Sequence, residues 1–303
     1  MASLDSSTTI DHSPSIWRIK ARSIAELTKA RLNISVVYSA LAGYFLGAPS
    51  FSLLSILLVS FGGYLVVGAA NGFNQIIERD RDSLMKRTQN RPLPTGRLSV
   101  GEAMIASTLM AVVGLILLYF INVMTFTFGA AALFMYVVMY TPLKAGGPLA
   151  VFVGAVPGAL PALLGWVAAT NDFGIEAGTL FAIQFLWQFA HFWAIAWVAD
   201  EDYKKAGYSL LPSGQRDTRS LIQILIYIVF LIFLTILPYF GLTGALQLSL
   251  PAMVGIVILG IGFLIYGIHL AYGRKISDAR KLMIYSVIYL PLVQLIYVID
   301  KLI

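Results

Sequence analysis

The feature that most constrains this chain is a succession of uncharged apolar runs, each of about 17–25 residues, long enough to cross a bilayer as helix. Nine can be read, at roughly 32–51, 52–74, 103–121, 122–141, 147–170, 177–199, 220–240, 250–273 and 282–299. Only 12% of the 303 residues are charged and 58% are hydrophobic, against about 25% charged in a soluble domain. A soluble globular fold is therefore excluded, and an all-α polytopic membrane protein, a bundle of nine transmembrane helices, is predicted. Neighbouring runs are separated by short turn signals such as Ala48-Pro49-Ser50, Asn122 and Gly241 to Gly244, which implies antiparallel hairpins. Cysteine is absent, which removes disulfides, thiolate nucleophiles and cysteine-ligated metals.

The basic residues test the count. If nine helices alternate, Arg18, Lys20, Arg22, Lys29, Arg31, the six bases from Arg79 to Arg97, Lys144, and the clusters at 204–219 and 274–281 all share one face, leaving Lys301 opposite. This is the positive-inside pattern, and it puts the N-terminus and those loops in the cytoplasm. The net charge of +6 is thus read against the membrane and its lipid, not against nucleic acid. Residues 1–31 form an N-terminal arm without the pattern of a signal peptide. Within it Ile16, Ile19, Ile24 and Leu27 interleave with Arg18, Lys20 and Arg22, so an interfacial amphipathic helix is expected from Pro14 to Leu27. Residues 32–303 form the membrane domain.

Polar clusters at the ends of the runs hold the chemistry. Asn74, Glu78 and Asp82 recur every four residues, about 40° apart on a helix, so they share one stripe. An amide and two carboxylates suit a hard cation such as Mg²⁺, usually held together with substrate phosphates. Arg87 and Arg91 follow at once in Lys86-Arg87-Thr88-Gln89-Asn90-Arg91-Pro92, able to grip phosphate oxygens. Lys144, in Tyr140-Thr141-Pro142-Leu143-Lys144, is within reach of the same face. A second acidic group, Asp200-Glu201-Asp202, ends the sixth run, so the chain reads as two related four-helix halves plus one helix. Two such clusters could hold a pair of metal ions on one diphosphate. The fifth run, with Pro157 and Pro161, is built to bend and could open a lateral cavity. His191 lies within the membrane among Phe185, Trp187, Phe192 and Trp193. Two readings stay open: a haem ligand, or a histidine hydrogen-bonded to a neighbouring helix. Acids at a helix end contribute little to stability, so Asp82→Ala is expected to leave the fold intact.

The set Asn74-x-x-x-Glu78-x-x-x-Asp82, Arg87-Thr88-x-x-Arg91-Pro92, Tyr140-Thr141-Pro142-Leu143-Lys144 and His191-Phe192-Trp193-Ala194, followed by Glu201-Asp202-Tyr203, resembles the intramembrane aromatic prenyltransferase superfamily, in particular its haem-modifying branch. Two departures stand out: Glu78 where aspartate is common, and second-motif acids crowded into 200–202. The resemblance implies transfer of a farnesyl group from farnesyl diphosphate to a vinyl group of haem b, with Mg²⁺. It implies Asn74, Glu78 and Asp82 as the catalytic metal site, Glu201 and Asp202 as candidates at a second metal, and Arg87, Arg91, Tyr140, Lys144, His191 and Trp193 as substrate-binding. It further implies a downstream haem-modifying enzyme as a candidate recipient of the product; between a bacterial and a mitochondrial membrane, the short N-terminal arm favours the bacterial cytoplasmic (inner) membrane. Transfer to a quinone precursor or other aromatic acceptor is the alternative. A secondary transporter would gather its ionisable groups near the midplane rather than at one face, and a structural haem-binding subunit would leave the acidic stripe without purpose.

Overall fold

The computed structural model describes residues 16–303. The chain is all-α among these residues, with α1 (Ile16–Thr28), α2 (Ala30–Gly47), α3 (Leu53–Ile77), α4 (Val100–Tyr119), α5 (Val123–Phe134), α6 (Leu149–Thr170), α7 (Ile175–Lys205), α8 (Thr218–Ile236), α9 (Leu250–Gly273) and α10 (Ile276–Leu302). Eight segments are long and apolar enough to cross a membrane by length and composition: α3, α4, α5 continued through Gly146, α6, α7, α8 continued through Phe240, α9 and α10. The protein is an integral membrane protein. The first expected span corresponds to α2, 18 residues long. It falls short in apolar character because it is packed inside the bundle, with Asn33, Ser39 and Tyr44 buried. Of the expected arm helix, Pro14 and Ser15 lie outside the described residues, as do the polar residues before them; α1 begins at Ile16.

The helices pair twice in the same way. α2 packs on α3, α3 on α4 and α4 on α5; then α6 packs on α7, α7 on α8 and α8 on α9. The two sets join through α2 against α6, and α10 closes the bundle against α7 and α2. Close approach at the α2–α6 joint depends on glycine: a Cβ on Gly43 would collide with the carbonyl of Ala162, and one on Gly165 with that of Ala40. In lipid there is little hydrophobic gain in joining two apolar helices, so such backbone contact supplies much of the attraction.

α6 carries Pro157 and Pro161 and is the most buried span. Around the prolines, Gln188 Nε2 donates to the Ala155 carbonyl (3.0 Å) and Gln184 Nε2 to that of Gly158 (2.9 Å), so polar side chains of α7 fill the space. An apolar cleft of about 610 Å³ lies between α2 and α3, lined by Ile34, Tyr38, Leu41, Phe61 and Tyr64 among others.

Candidate active site

α3 runs to Ile77 and a further single turn spans Arg79–Asp82. The backbone bends at Glu78, yet Glu78 N still donates to Asn74 O (2.9 Å) and Asp82 N to Glu78 O (2.8 Å). The stripe therefore survives the bend, and Asn74, Glu78 and Asp82 are all buried, at 3%, 2% and 0% exposure. Asp80 points outward, paired with Arg79.

Each buried acid meets one base. Lys144 Nζ lies 3.1 Å from Glu78 Oε2, and Arg91 donates to Asp82 Oδ2 at 2.6 Å. Lys144 reaches Glu78 because α5 continues through a π-turn over Met135–Tyr140 into a short helix, Thr141–Leu143. Pro142, which has no N–H to donate, stands just after the π-turn. Thr141 Oγ1 accepts from Asn74 Nδ2 (3.2 Å) and donates to the Tyr136 carbonyl (2.8 Å). The second oxygen of each acid, Glu78 Oε1 and Asp82 Oδ1, is buried with no hydrogen-bond partner.

A buried carboxylate oxygen without a partner is costly, and two on one stripe fit a divalent cation. Among the described residues no group of three or more His, Cys, Asp or Glu is arranged to hold a metal by itself. The donor set here, two carboxylates and an amide, is the sparse kind that leaves room for phosphate oxygens. The depth of Asp82 also corrects the expectation about Asp82→Ala. The residue is fully buried and charge-paired, so truncation strands Arg91 and lowers stability.

The second acidic cluster does other work. Asp202 accepts from the backbone N–H of Lys86 (3.1 Å) and of Arg87 (3.2 Å), fastening the loop after Asp82 to the end of α7. Glu201 is 81% exposed and faces Arg216. Asp200 pairs with Lys204 (2.8 Å) and Arg216 (3.7 Å). The contacts of these three acids are thus with loop amides and bases. Arg87 sits over the Tyr203 ring and donates to its hydroxyl (3.0 Å). Tyr140 packs against Tyr136 and Gly154.

His191 and Trp193, both substrate-binding candidates, face different sides of α7. Two residues apart on a helix point to nearly opposite sides. Trp193 is fully buried among Phe152, Phe189 and Tyr227, whereas His191 faces α10 and stacks on Trp187 (4.9 Å, 11°).

The sequence profile of the UbiA prenyltransferase family matches residues 36–289. The chain belongs to that family. It is 53% identical over 279 residues to a protoheme IX farnesyltransferase of Flavobacterium psychrophilum, covering 91% of this chain and 93% of that one. It is 42% identical over 280 residues to one of Cytophaga hutchinsonii, covering 91% and 96%. The same fold occurs in a solved digeranylgeranylglyceryl phosphate synthase (TM-score 0.76, 22% identity, 93% of this chain and 98% of that chain). It occurs again in a UbiA homologue from Archaeoglobus fulgidus bound to GPP and Mg²⁺ (TM-score 0.64, 18% identity, 94% and 99%).

Two residues of this UbiA prenyltransferase site escaped the sequence reading. Lys29, the one residue between α1 and α2, holds a left-handed backbone (φ 54°). It is fixed there by α3: Gln75 Nε2 donates to the Leu27 carbonyl (2.7 Å), and Asn71 Nδ2 to that of Thr28 (3.3 Å). Burial, then Arg91 and Lys144, lower the Lys29 ammonium from 10.5 to about 7, while Glu78 and Asp82 pull the other way. Tyr208 lies beneath Lys144 (4.8 Å) and Arg81 (5.4 Å). Burial raises its hydroxyl above the ordinary tyrosine range, with Glu78 adding to the effect, and that hydroxyl has no partner.

Proposed function

We propose that this enzyme transfers the farnesyl group of farnesyl diphosphate to a vinyl group of haem b, giving haem O. The observation that carries the reading is the pair of buried carboxylates, each with one unpartnered oxygen, set against Lys144 and Arg91. The name of the relatives at up to 53% identity supports farnesyl as the group and haem as the acceptor. Glu78, Asp82 and Asn74 would hold Mg²⁺, which when bound would supply charge neutralisation for the departing diphosphate. Lys144 and Arg91 exchange their carboxylate contacts for phosphate oxygens, and Lys29 and Arg87 add further cations. The allylic C–O bond breaks, the terminal vinyl carbon bonds to the farnesyl carbon, and water adds at the adjacent carbon, losing a proton. The apolar cleft between α2 and α3 offers the tail a way in from lipid. His191 receives haem iron.

The basic loops set this site on the cytoplasmic side of the inner membrane, with residues 1–31 as an arm whose α1 lies along the interface and residues 32–303 as the catalytic domain. The product passes to a downstream haem-modifying enzyme. The test is to incubate purified protein with farnesyl diphosphate, Mg²⁺ and haem b and to weigh the porphyrin. A mass gain of one farnesyl group plus one hydroxyl group is expected. An unchanged porphyrin alongside farnesylation of a quinone precursor would overturn the acceptor assignment.

A further inference from the structure

The hydrogen bonds around His191 determine where its proton sits. His191 Nδ1 lies 2.7 Å from Ser286 Oγ, across the α7–α10 interface. Ser286 Oγ also lies 2.6 Å from the carbonyl oxygen of Met283 in its own helix. A carbonyl only accepts, and a serine hydroxyl has one proton to give. That proton is spent on Met283. If Ser286 donated to the imidazole instead, two oxygens would face each other at 2.6 Å with nothing between them. Both contacts are hydrogen bonds only when His191 Nδ1 carries the ring proton and Ser286 Oγ accepts it. Nε2 is then left with its lone pair, and it makes no hydrogen bond among the described residues.

The same serine fixes the rest of the cradle. Its backbone carbonyl accepts from Trp187 Nε1 (2.7 Å), and the Trp187 indole lies flat against the imidazole (4.9 Å, 11°). Ser286 itself is fully buried. One residue of α10 thus sets the tautomer of His191 through its side chain and the ring plane through its main chain. A histidine held so, with its far nitrogen bare, has the arrangement of a metal-ligating imidazole, in which a partner on one nitrogen orients the ring and makes the other more basic.

We infer that Ser286 is a positioning residue that prepares His191 Nε2 to bind the iron of a haem substrate. This rests on the haem reading above, and the test separates the two. Full-length protein in detergent is titrated with ferrous haem b, following the absorption spectrum and the iron–histidine stretching band. The wild type should show a histidine-ligated spectrum, lost in His191→Ala and restored there by added imidazole. Ser286→Ala should weaken haem binding about 10–100-fold, the usual effect of removing such a partner, and shift the stretching band to lower frequency. Ser286→Thr, which keeps the hydroxyl, should restore both. Pyrophosphate binding, which does not involve α10, reports that each variant is folded. Wild-type haem affinity and an unmoved band in Ser286→Ala would overturn the inference while leaving His191 as ligand. An unchanged spectrum in His191→Ala would overturn the haem-ligation reading itself.

Discussion

Replacing Asp82 by asparagine keeps the shape of a fully buried side chain and removes its charge. Two effects of different size follow. Arg91 loses the carboxylate it touches at 2.6 Å, but its side chain is 23% exposed, so water partly replaces the lost partner. Breaking a fully buried pair costs about 3–5 kcal/mol; with that relief about 1–2 kcal/mol is expected here, a fall of a few degrees in melting temperature. The effect on a cation is larger. A unit charge about 4 Å away at an effective dielectric of about 20 contributes about 4 kcal/mol, a factor of roughly 10³ in an equilibrium constant. Asp82→Asn should therefore raise the Mg²⁺ concentration for half-maximal farnesyl transfer by at least about 100-fold, with only that fall of a few degrees in melting. Asp80→Asn, with a side chain 86% exposed, should change neither. The assay is product mass against Mg²⁺ concentration, with thermal unfolding in the same detergent. Wild-type Mg²⁺ dependence in Asp82→Asn would refute the metal assignment.

Other perturbations probe the frame and its charges. Because the Lys29 ammonium is lowered to about 7, it is charged below that pH and neutral above. Pyrophosphate affinity should fall as pH rises through neutrality, and this part of the pH dependence should vanish in Lys29→Gln. Gly165→Ala puts a methyl group into the carbonyl of Ala40, which should cost about 1–3 kcal/mol, measured as loss of resistance to unfolding in detergent. Lys301 Nζ donates to the carbonyls of Phe45, Leu46 and Ala48 at the end of α2; Lys301→Met should cost about 1 kcal/mol without altering Mg²⁺ dependence. Asp217 accepts from Ser220 N at the start of α8 (2.8 Å), which holds its carboxyl below the usual range. Its contribution is present above the ordinary carboxylate pKa and lost below it. The protection of the Ser220 amide, its exchange relative to the unfolded rate at the same pH, should fall in acid, and should not do so in Asp217→Asn.

The spans were legible because lipid tolerates few charges, so apolar length maps onto helix. α2 was the exception in composition: its polar residues are partnered inside the bundle, as Ser39 is by Gln294 (3.1 Å). The stripe from Asn74 to Asp82 was legible because a four-residue spacing is local geometry. The spacing of the second acidic cluster, by contrast, says nothing of the loop amide that reaches Asp202 from 115 residues away. Lys29 was counted only as an orientation charge, since its role depends on Asn71 and Gln75 seizing the joint behind it. The link between His191 and Ser286, 95 residues apart, leaves no periodic trace.

The π-turn at Met135–Tyr140 has a consequence for how this segment tolerates length change. A π-turn holds one surplus residue, so everything after it is rotated by about 100° relative to an unbroken α-helix. Deleting a single residue there would restore regular winding and lengthen no loop, yet it would swing Thr141 and Lys144 away from Asn74 and Glu78. The rotational phase of this helix is therefore fixed by its irregular turn, and a one-residue deletion would disarm the site while leaving the span able to cross the membrane.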